Sequence, residues 1–223
     1  ADQARLRSRV QEADRHIAGT LATRTSSVGN ELVRIFVGDI APKDRPRILK
    51  ILEATRVFRS EEIDVAIELF DSVYGADRGA DAATQKKIVT PPANSDYFFL
   101  GAFTPEEELA GFACYGPTPG SDRTYDLYWI AVDPAVQGSG CGTILLNEVE
   151  RRLKGLNARM VVVETSSRSD YGSSRGFYIQ RGYVEAARSR DFYAPADDRI
   201  TYTKRLQSSV PSFGWMAHGV MSQ

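Results

Sequence analysis

The residues with the clearest chemical potential run Val132-Asp133-Pro134-Ala135-Val136-Gln137-Gly138-Ser139-Gly140-Cys141-Gly142-Thr143. An apolar run, Leu127-Tyr128-Trp129-Ile130-Ala131-Val132, leads in, and an amphipathic segment from Thr143 to Leu156 leads out. Strand, glycine-rich turn and helix in that order can aim several backbone N–H groups at one point, where the helix N-terminus adds partial positive charge. Gly138, Gly140 and Gly142 carry no side chain, so an anion can approach the backbone closely. The chemistry expected of this stretch is that of an oxyanion or phosphate cradle.

Three glycine-loop patterns compete for it. A P-loop requires G-x-x-x-x-G-K-[ST], and no Lys follows these glycines. The dinucleotide fingerprint G-x-G-x-x-G fails because Gly138, Gly140 and Gly142 are spaced two and two. What remains is Q-x-x-G-x-G, read from Gln137, Gly140 and Gly142. A glycine-rich connection with no ligand is the bland alternative, and the flanking strand and helix weigh against it. Cys141 invites a nucleophile reading, yet nothing nearby supplies a base, and it reads as a small filler of the loop. The two histidines, His16 and His218, sit near opposite ends, so a Ser/His/Asp or Cys/His triad would have to recruit a terminal segment. Cys114 and Cys141 form neither a disulfide framework nor a metal-ligand pattern, so no metal is expected and a reducing, cytoplasmic compartment fits.

The chain that must position this loop has 223 residues, 42% hydrophobic and 26% charged, as a globular protein does. Its net charge of −1 gives no electrostatic case for nucleic acid or an anionic membrane. No apolar run approaches the ~20 residues of a membrane helix. The charged N-terminus does not read as a signal peptide. The chain opens on Ala, which fits a removed initiator Met or a cut from a longer chain.

Leu6, Val10, Ala13, Ile17 and Leu21 recur at helical spacing, predicting a helix over residues 2–22 that packs on its own domain or serves docking or dimerisation. Thr25 to Asn30 reads as a polar loop. Leu32 to Val37 alternates and predicts a first strand. Helices follow over Asp44 to Thr55 and from Ser60, the second with Ile63, Ala66, Ile67, Phe70 and Val73 on one face. Residues 75–94 read as a long loop, with a short helix near 82–88. Tyr97–Phe103 and Leu109–Tyr115 predict a hairpin, and Asp126–Val132 a fourth strand. Leu145, Val149, Leu153 and Leu156 form the apolar stripe of the helix after the cradle. The nearly all-apolar Met160-Val161-Val162-Val163-Glu164-Thr165 predicts a strand covered on both faces and parallel to the fourth. A short helix over Ser174–Gln180 and strands over Tyr183–Arg188 and Arg199–Arg205 close the domain, with Asp191–Asp198 as the connection. Residues 208–223 form a tail.

The element order, with Ile130-Ala131-Val132-Asp133-Pro134 before Q-x-x-G-x-G, resembles the GNAT acetyltransferase superfamily. A second signature, Arg175-Gly176-Phe177-Tyr178-Ile179-Gln180-Arg181-Gly182-Tyr183, is similar to that family's A-x-x-F-Y-x-x-x-G-F helix, with Gly-Tyr for the usual Gly-Phe. The resemblance spans residues 31–206, leaving an N-terminal helical extension over 1–30 and a tail over 207–223. It implies an α+β fold, a mixed and mostly antiparallel sheet of six to seven strands. A central parallel pair splays around acyl-CoA, and helices cover both faces. The implied cofactor is acetyl-CoA or coenzyme A, acting as a substrate. Its pyrophosphate would lie on Gln137, Gly138, Ser139, Gly140, Cys141, Gly142 and Thr143, and its pantetheine on the edge of Ile130, Ala131 and Val132. The Val132 N–H is the implied oxyanion donor. Tyr178 is the candidate acid, since a phenol with pKa near ~10 keeps its proton at neutral pH. A packed aromatic is the competing reading of Tyr178. For the base, Glu164 and Asp126 rank equally, and a relay through ordered water that needs neither is the third option. Glu164 is a lone carboxylate at the end of an apolar strand, and Asp126 stands six residues before Val132, where histone-acetylating relatives place a Glu. Strand alternation puts Asp126, Tyr128 and Ile130 on one face, and the bulge that relatives have here would shift that phase. Many relatives carry an Asn at the position of Tyr171 that contacts the CoA arm, so Tyr171, Ser166 and Ser173 compete for that role.

The acceptor walls expected are the first helix pair with its loop, Gly116–Arg123 and Asp191–Asp198. Phe192, Tyr193, Asp197 and Asp198 would suit a cationic amine on a small molecule or peptide. The function implied is N-acetyl transfer by direct attack in a ternary complex. The alternatives are a non-catalytic CoA-binding or regulatory domain and acyl transfer to a thiol or hydroxyl.

Overall fold

The computed structural model describes residues 24–28, 31–75 and 96–206. The expected helix over 2–22, the short helix near 82–88 and the tail from 208 lie outside the described residues.

The elements are β1 (Arg24–Val28), β2 (Glu31–Asp39), α1 (Arg45–Thr55), α2 (Ser60–Tyr74), β3 (Phe98–Phe103), β4 (Leu109–Pro117), β5 (Thr124–Val132), α3 (Cys141–Gly155), β6 (Met160–Ser166), α4 (Gly172–Ile179), β7 (Val184–Ala194) and β8 (Asp197–Arg205). Strands β2 to β8 form one mixed sheet in the order β2-β3-β4-β5-β6-β8-β7, with β1 added beyond β2. Every neighbouring pair is antiparallel except β5–β6. The fold is the expected mixed α/β arrangement around a central parallel pair.

Two segments differ from expectation. Arg24–Val28 pairs with Glu31–Ile35 as a strand where a polar loop is expected; a hairpin ladder forms here without an apolar face to announce it. The connection expected at Asp191–Asp198 is mostly hairpin. β7 and β8 are paired at Ser189 with Arg199 and again at Ala194 with Asp197, and residues 190–193 bulge between those rungs. Asp191 (φ 50°) and Ala196 (φ 64°) take left-handed backbone to allow it.

The core lies on both sheet faces. On one, α3 buries Ile144, Leu145, Leu146, Val149 and Leu153 against Tyr115, Leu127 and Val161. On the other, α1 and α2 bury Ile48, Ile51, Leu52, Ile67 and Phe70 against Phe99, Phe112 and Ala131. Amphipathic spacing at 3.6 residues per turn produces these stripes. One buried ion pair ties the layers together. Glu150 of α3 is 5% exposed, accepts two bonds from Lys204 Nζ at 2.7 and 2.8 Å, and accepts another from the Tyr183 hydroxyl at 3.2 Å. That network explains Tyr where Phe is usual after Gly182: a buried phenol needs an acceptor, and Glu150 supplies it.

Removing one member of a buried pair strands the other. Glu150→Ala should lower unfolding free energy by about 3 kcal/mol in a urea titration. A loss below about 1 kcal/mol would show that Lys204 is solvated without its partner.

Candidate active site

β5 and β6 are paired only at Thr124, Tyr125 and Asp126, opposite Met160, Val161 and Val162. Past Asp126 the strands part, while each keeps its outer neighbour, β4 or β8. A bulge sits at the start of the gap. Cys114 faces Trp129 and Tyr115 faces Leu127, which leaves Tyr128 as the extra residue of β5. The bulge resets the alternation. Leu127 and Ile130 pack in the α3 layer, Trp129 and Ala131 in the α1–α2 layer, and Ile130 no longer shares a face with Tyr128.

The gap receives unspent backbone groups. The Asp133 N–H donates to Ala110 O on β4 at 2.9 Å. Alternation along the strand then turns the N–H and C=O of Val132 and Ile130 toward the gap and those of Ala131 toward β4. The Gln137 side chain agrees: its Nε2 donates to Val132 O at 3.1 Å from the gap side.

At the wide end of the gap the cradle is held in shape from both sides. Gly138 (φ 80°) and Gly140 (φ 83°) occupy left-handed backbone that side chains disfavour. The first bond of the α3 ladder runs from Ile144 N to Gly140 O, so the N–H groups of Cys141, Gly142 and Thr143 lie outside it and point from the helix start. Asp133 fixes the turn: Oδ1 accepts from Ala135 N at 2.8 Å, and Oδ2 accepts from Arg47 Nη2 at 2.6 Å. Arg47, on α1, also donates to Leu109 O at 2.9 Å. Arg181 reaches the cradle from the helix α4 side. Its guanidinium lies 3.8 Å above the Phe177 ring and donates to the Thr143 hydroxyl. Burial lowers its pKa, yet an arginine remains charged.

Two cavities of about 470 Å³ each meet at this gap. The first, a cleft, holds Ile130, Ala131, Val132, Gln137, Gly138 and the run Gly140–Thr143, faced by Ser173 and Tyr178. Ser139 does not line it; the residue is fully buried, and its N–H is spent on Val136 O at 3.2 Å. The second holds Asp126, Thr118, Arg59, Glu62, Tyr193 and Asp197. Leu127, Tyr128, Trp129, Glu164, Thr165 and Tyr171 line both, so the junction lies where the strands diverge. The three expected acceptor walls thus each contribute to the second cavity. Asp198 turns away, toward Arg188 and the Asp191 N–H.

The candidate acid and bases have different surroundings. Tyr178 is 5% exposed, with its ring edge-on to Phe177 and Tyr183, and burial raises its pKa. Asp126 sits on the last paired rung. Burial raises its pKa, and neighbouring hydroxyls, Tyr128 among them, offset part of the rise. Glu164 is half-exposed, 3.6 Å from Arg199 Nη1. Tyr171 is nearly buried, and its hydroxyl donates to Glu62 Oε1 across the junction at 3.4 Å. Among the described residues no group of three or more His, Cys, Asp or Glu is placed to hold a metal ion, and no helix is long and apolar enough to cross a membrane.

The sequence profile of the Acetyltransferase (GNAT) family matches residues 66–183. A crystal structure assigned to that family, from Desulfovibrio desulfuricans, is 34% identical, covering 78% of this chain and 99% of its own with a TM-score of 0.64. The chain belongs to the GNAT acetyltransferase family. The ribosomal-protein-S18-alanine N-acetyltransferase of Escherichia coli shares the fold at 18% identity, with a TM-score of 0.59 over 80% of this chain and 97% of that one. So does a Salmonella typhimurium protein solved with its cofactor acetyl-CoA, at 16% identity and a TM-score of 0.56 over 80% and 98% of the two chains. Among curated proteins nothing matches.

Within the GNAT frame, three site residues escaped the sequence reading: Arg47, Glu62 and Arg181. Arg181 sits inside the F-Y signature, which was a usable signal. Arg47 and Glu62 act through partners 86 and 109 residues away, which spacing does not reveal. Cys141 is 1% exposed, and burial pushes its thiol up to about 12, so it is a filler of the cradle rather than a nucleophile. Burial also holds Cys114 well above its ordinary value. At pH 8 both should resist Ellman's reagent in the folded protein and react at once in denaturant. Labelling of the native protein at the rate of a free cysteine would show that the cradle opens in solution.

Proposed function

We propose that the protein is an N-acetyltransferase that moves the acetyl group of acetyl-CoA to a primary amine by direct attack in a ternary complex. The observation that carries this reading is the unpaired edge of β5, whose Val132 and Ile130 N–H groups face a cleft that ends in the glycine cradle. Pantetheine amides suit such an edge, as an added strand would. The cradle amides and Arg181 suit the pyrophosphate. Acetyl-CoA supplies the activated acyl carbon, and the Salmonella typhimurium neighbour solved with it has the same fold.

The chain's own groups divide the work. The Val132 N–H stabilises negative charge on the acyl oxygen. Asp126 takes the ammonium proton, through water where the amine lies beyond its reach. The amine nitrogen then bonds to the acyl carbon as the C–S bond breaks. Tyr178, still protonated at neutral pH, gives its proton to the sulfur. Asp126 is preferred to Glu164 because a base with a raised pKa holds the proton better, and Glu164 is half in solvent.

Tyr178→Phe should lower kcat about 10²-fold while CoA binds with unchanged affinity by calorimetry. Full turnover in that variant removes Tyr178 from the reaction, and wild-type protein that fails to bind CoA refutes the cleft assignment. The acid limb of kcat/KM should lie above the ordinary carboxylate range. Asp126 is protonated below its raised pKa and cannot accept a proton there, so activity falls as pH drops through that value. Asp126→Asn should erase this limb, and an unchanged limb in the variant returns the role to Glu164.

A further inference from the structure

Within the N-acetyltransferase reading, the second cavity carries more negative charge than the reaction uses. Three of its charges, Asp197, Arg59 and Arg168, are already spent. Asp197, 4% exposed at its side chain, accepts from Arg59 Nη2 at 2.7 Å and from the Ser166 hydroxyl. Arg168 is held by Asp170 and by Val57 O at 3.3 Å. Asp126, Glu62 and Glu164 remain, with Arg199 at 3.6 Å from Glu164 as the nearest counter-charge. Aromatic rings close the walls, with Trp129 and Tyr171 at the junction and Tyr193 opposite. At the junction Thr165 is 5% exposed, and its hydroxyl has no hydrogen-bond partner among the described residues. A buried hydroxyl left alone costs about 1–3 kcal/mol, so this one is placed for a group that arrives with the ligand.

The geometry points to an acceptor that carries a second positive charge beside the reacting amine, a small aliphatic diamine. One carboxylate is needed to take the proton. Three carboxylates around a lone ammonium would hold it charged and slow the attack. A second ammonium resolves this. It compensates the remaining carboxylates, and by like-charge repulsion it lowers the pKa of the reacting amine. Glu164 lies two residues past Val162, the partner of Asp126, so the two acids are offset by roughly 7 Å along β6. A four-carbon chain bridges such an offset, and its methylenes would lie on the aromatic walls.

The test measures thiol release from acetyl-CoA with 1,4-diaminobutane, n-butylamine and 4-aminobutyrate, acceptors matched in length. The diamine should exceed butylamine at least tenfold in kcat/KM, with aminobutyrate the slowest. In Glu164→Gln, which removes the charge that the spacing assigns to the second ammonium, the diamine-to-butylamine ratio should fall about fivefold. Equal rates for butylamine and the diamine, preference for aminobutyrate, or an unchanged ratio in the variant overturns the diamine assignment alone. Thiol release with none of the three, or no CoA binding by calorimetry, overturns it together with the proposed function.

Discussion

Two adjacent parallel strands that stop pairing after three rungs leave backbone donors and acceptors facing across a gap. Buried peptide groups without partners cost about 1–3 kcal/mol each, so the gap must stay wet or take an extended polar ligand. This constraint runs through the molecule. β4 secures β5 over its whole length and β8 secures β6, so each strand keeps one neighbour where it loses the other. The three rungs and the helices join the halves. The Tyr128 bulge begins where the rungs end, and bulges bend the strand that carries them. Divergence is therefore built into β5 rather than forced on it by a ligand.

The halves are also strapped across the front of the gap. The connection between α1 and α2, with the first turn of α2, belongs to the first half and reaches the second at three points. Arg59 bonds Asp197 on β8, Val57 O accepts from Arg168, and Glu62 accepts from Tyr171. Arg47, on α1, reaches to the other end of the gap and holds Asp133 at the mouth of the cradle. One short helix and the turn after it thus hold both the anion end of the cleft and the entrance of the second cavity. Of these four contacts one comes from α1, two from the turn after it and one from the first turn of α2, all far from the glycine loop in sequence.

Patterns with a short period are legible in the sequence. The stripes of α2 and α3, the apolar runs of β4 and β6 and the glycine spacing each repeat within a few residues, and the structure places them as expected. Features that depend on distant partners are not. β1 is polar up to Val28 and pairs at an edge, so no apolar alternation marks it. Pro195 and three aspartates make 191–198 look like a connection, although only the tip and a bulge depart from the hairpin. The bulge at Tyr128 is invisible because a strand with one extra residue reads like any apolar run. The site was half legible for the same reason. The cradle and Tyr178 belong to local signatures, whereas Arg47 and Glu62 matter only through residues that folding brings to them.

The two carboxylates that looked equivalent in sequence are separated by the place where the sheet opens. Asp126 is on the last rung, with β4 and β6 on either side, and loses water to both. Glu164 is two residues further on, where β6 has lost one neighbour, and its side chain is 46% exposed. A carboxylate that loses water gains proton affinity, and burial raises the pKa of Asp126 accordingly. Each step along a diverging strand changes solvation, so the two sides of the opening carry one desolvated carboxylate and one half-exposed one. The divergence that exposes the backbone of Val132 and Ile130 therefore also sets the chemical difference between Asp126 and Glu164.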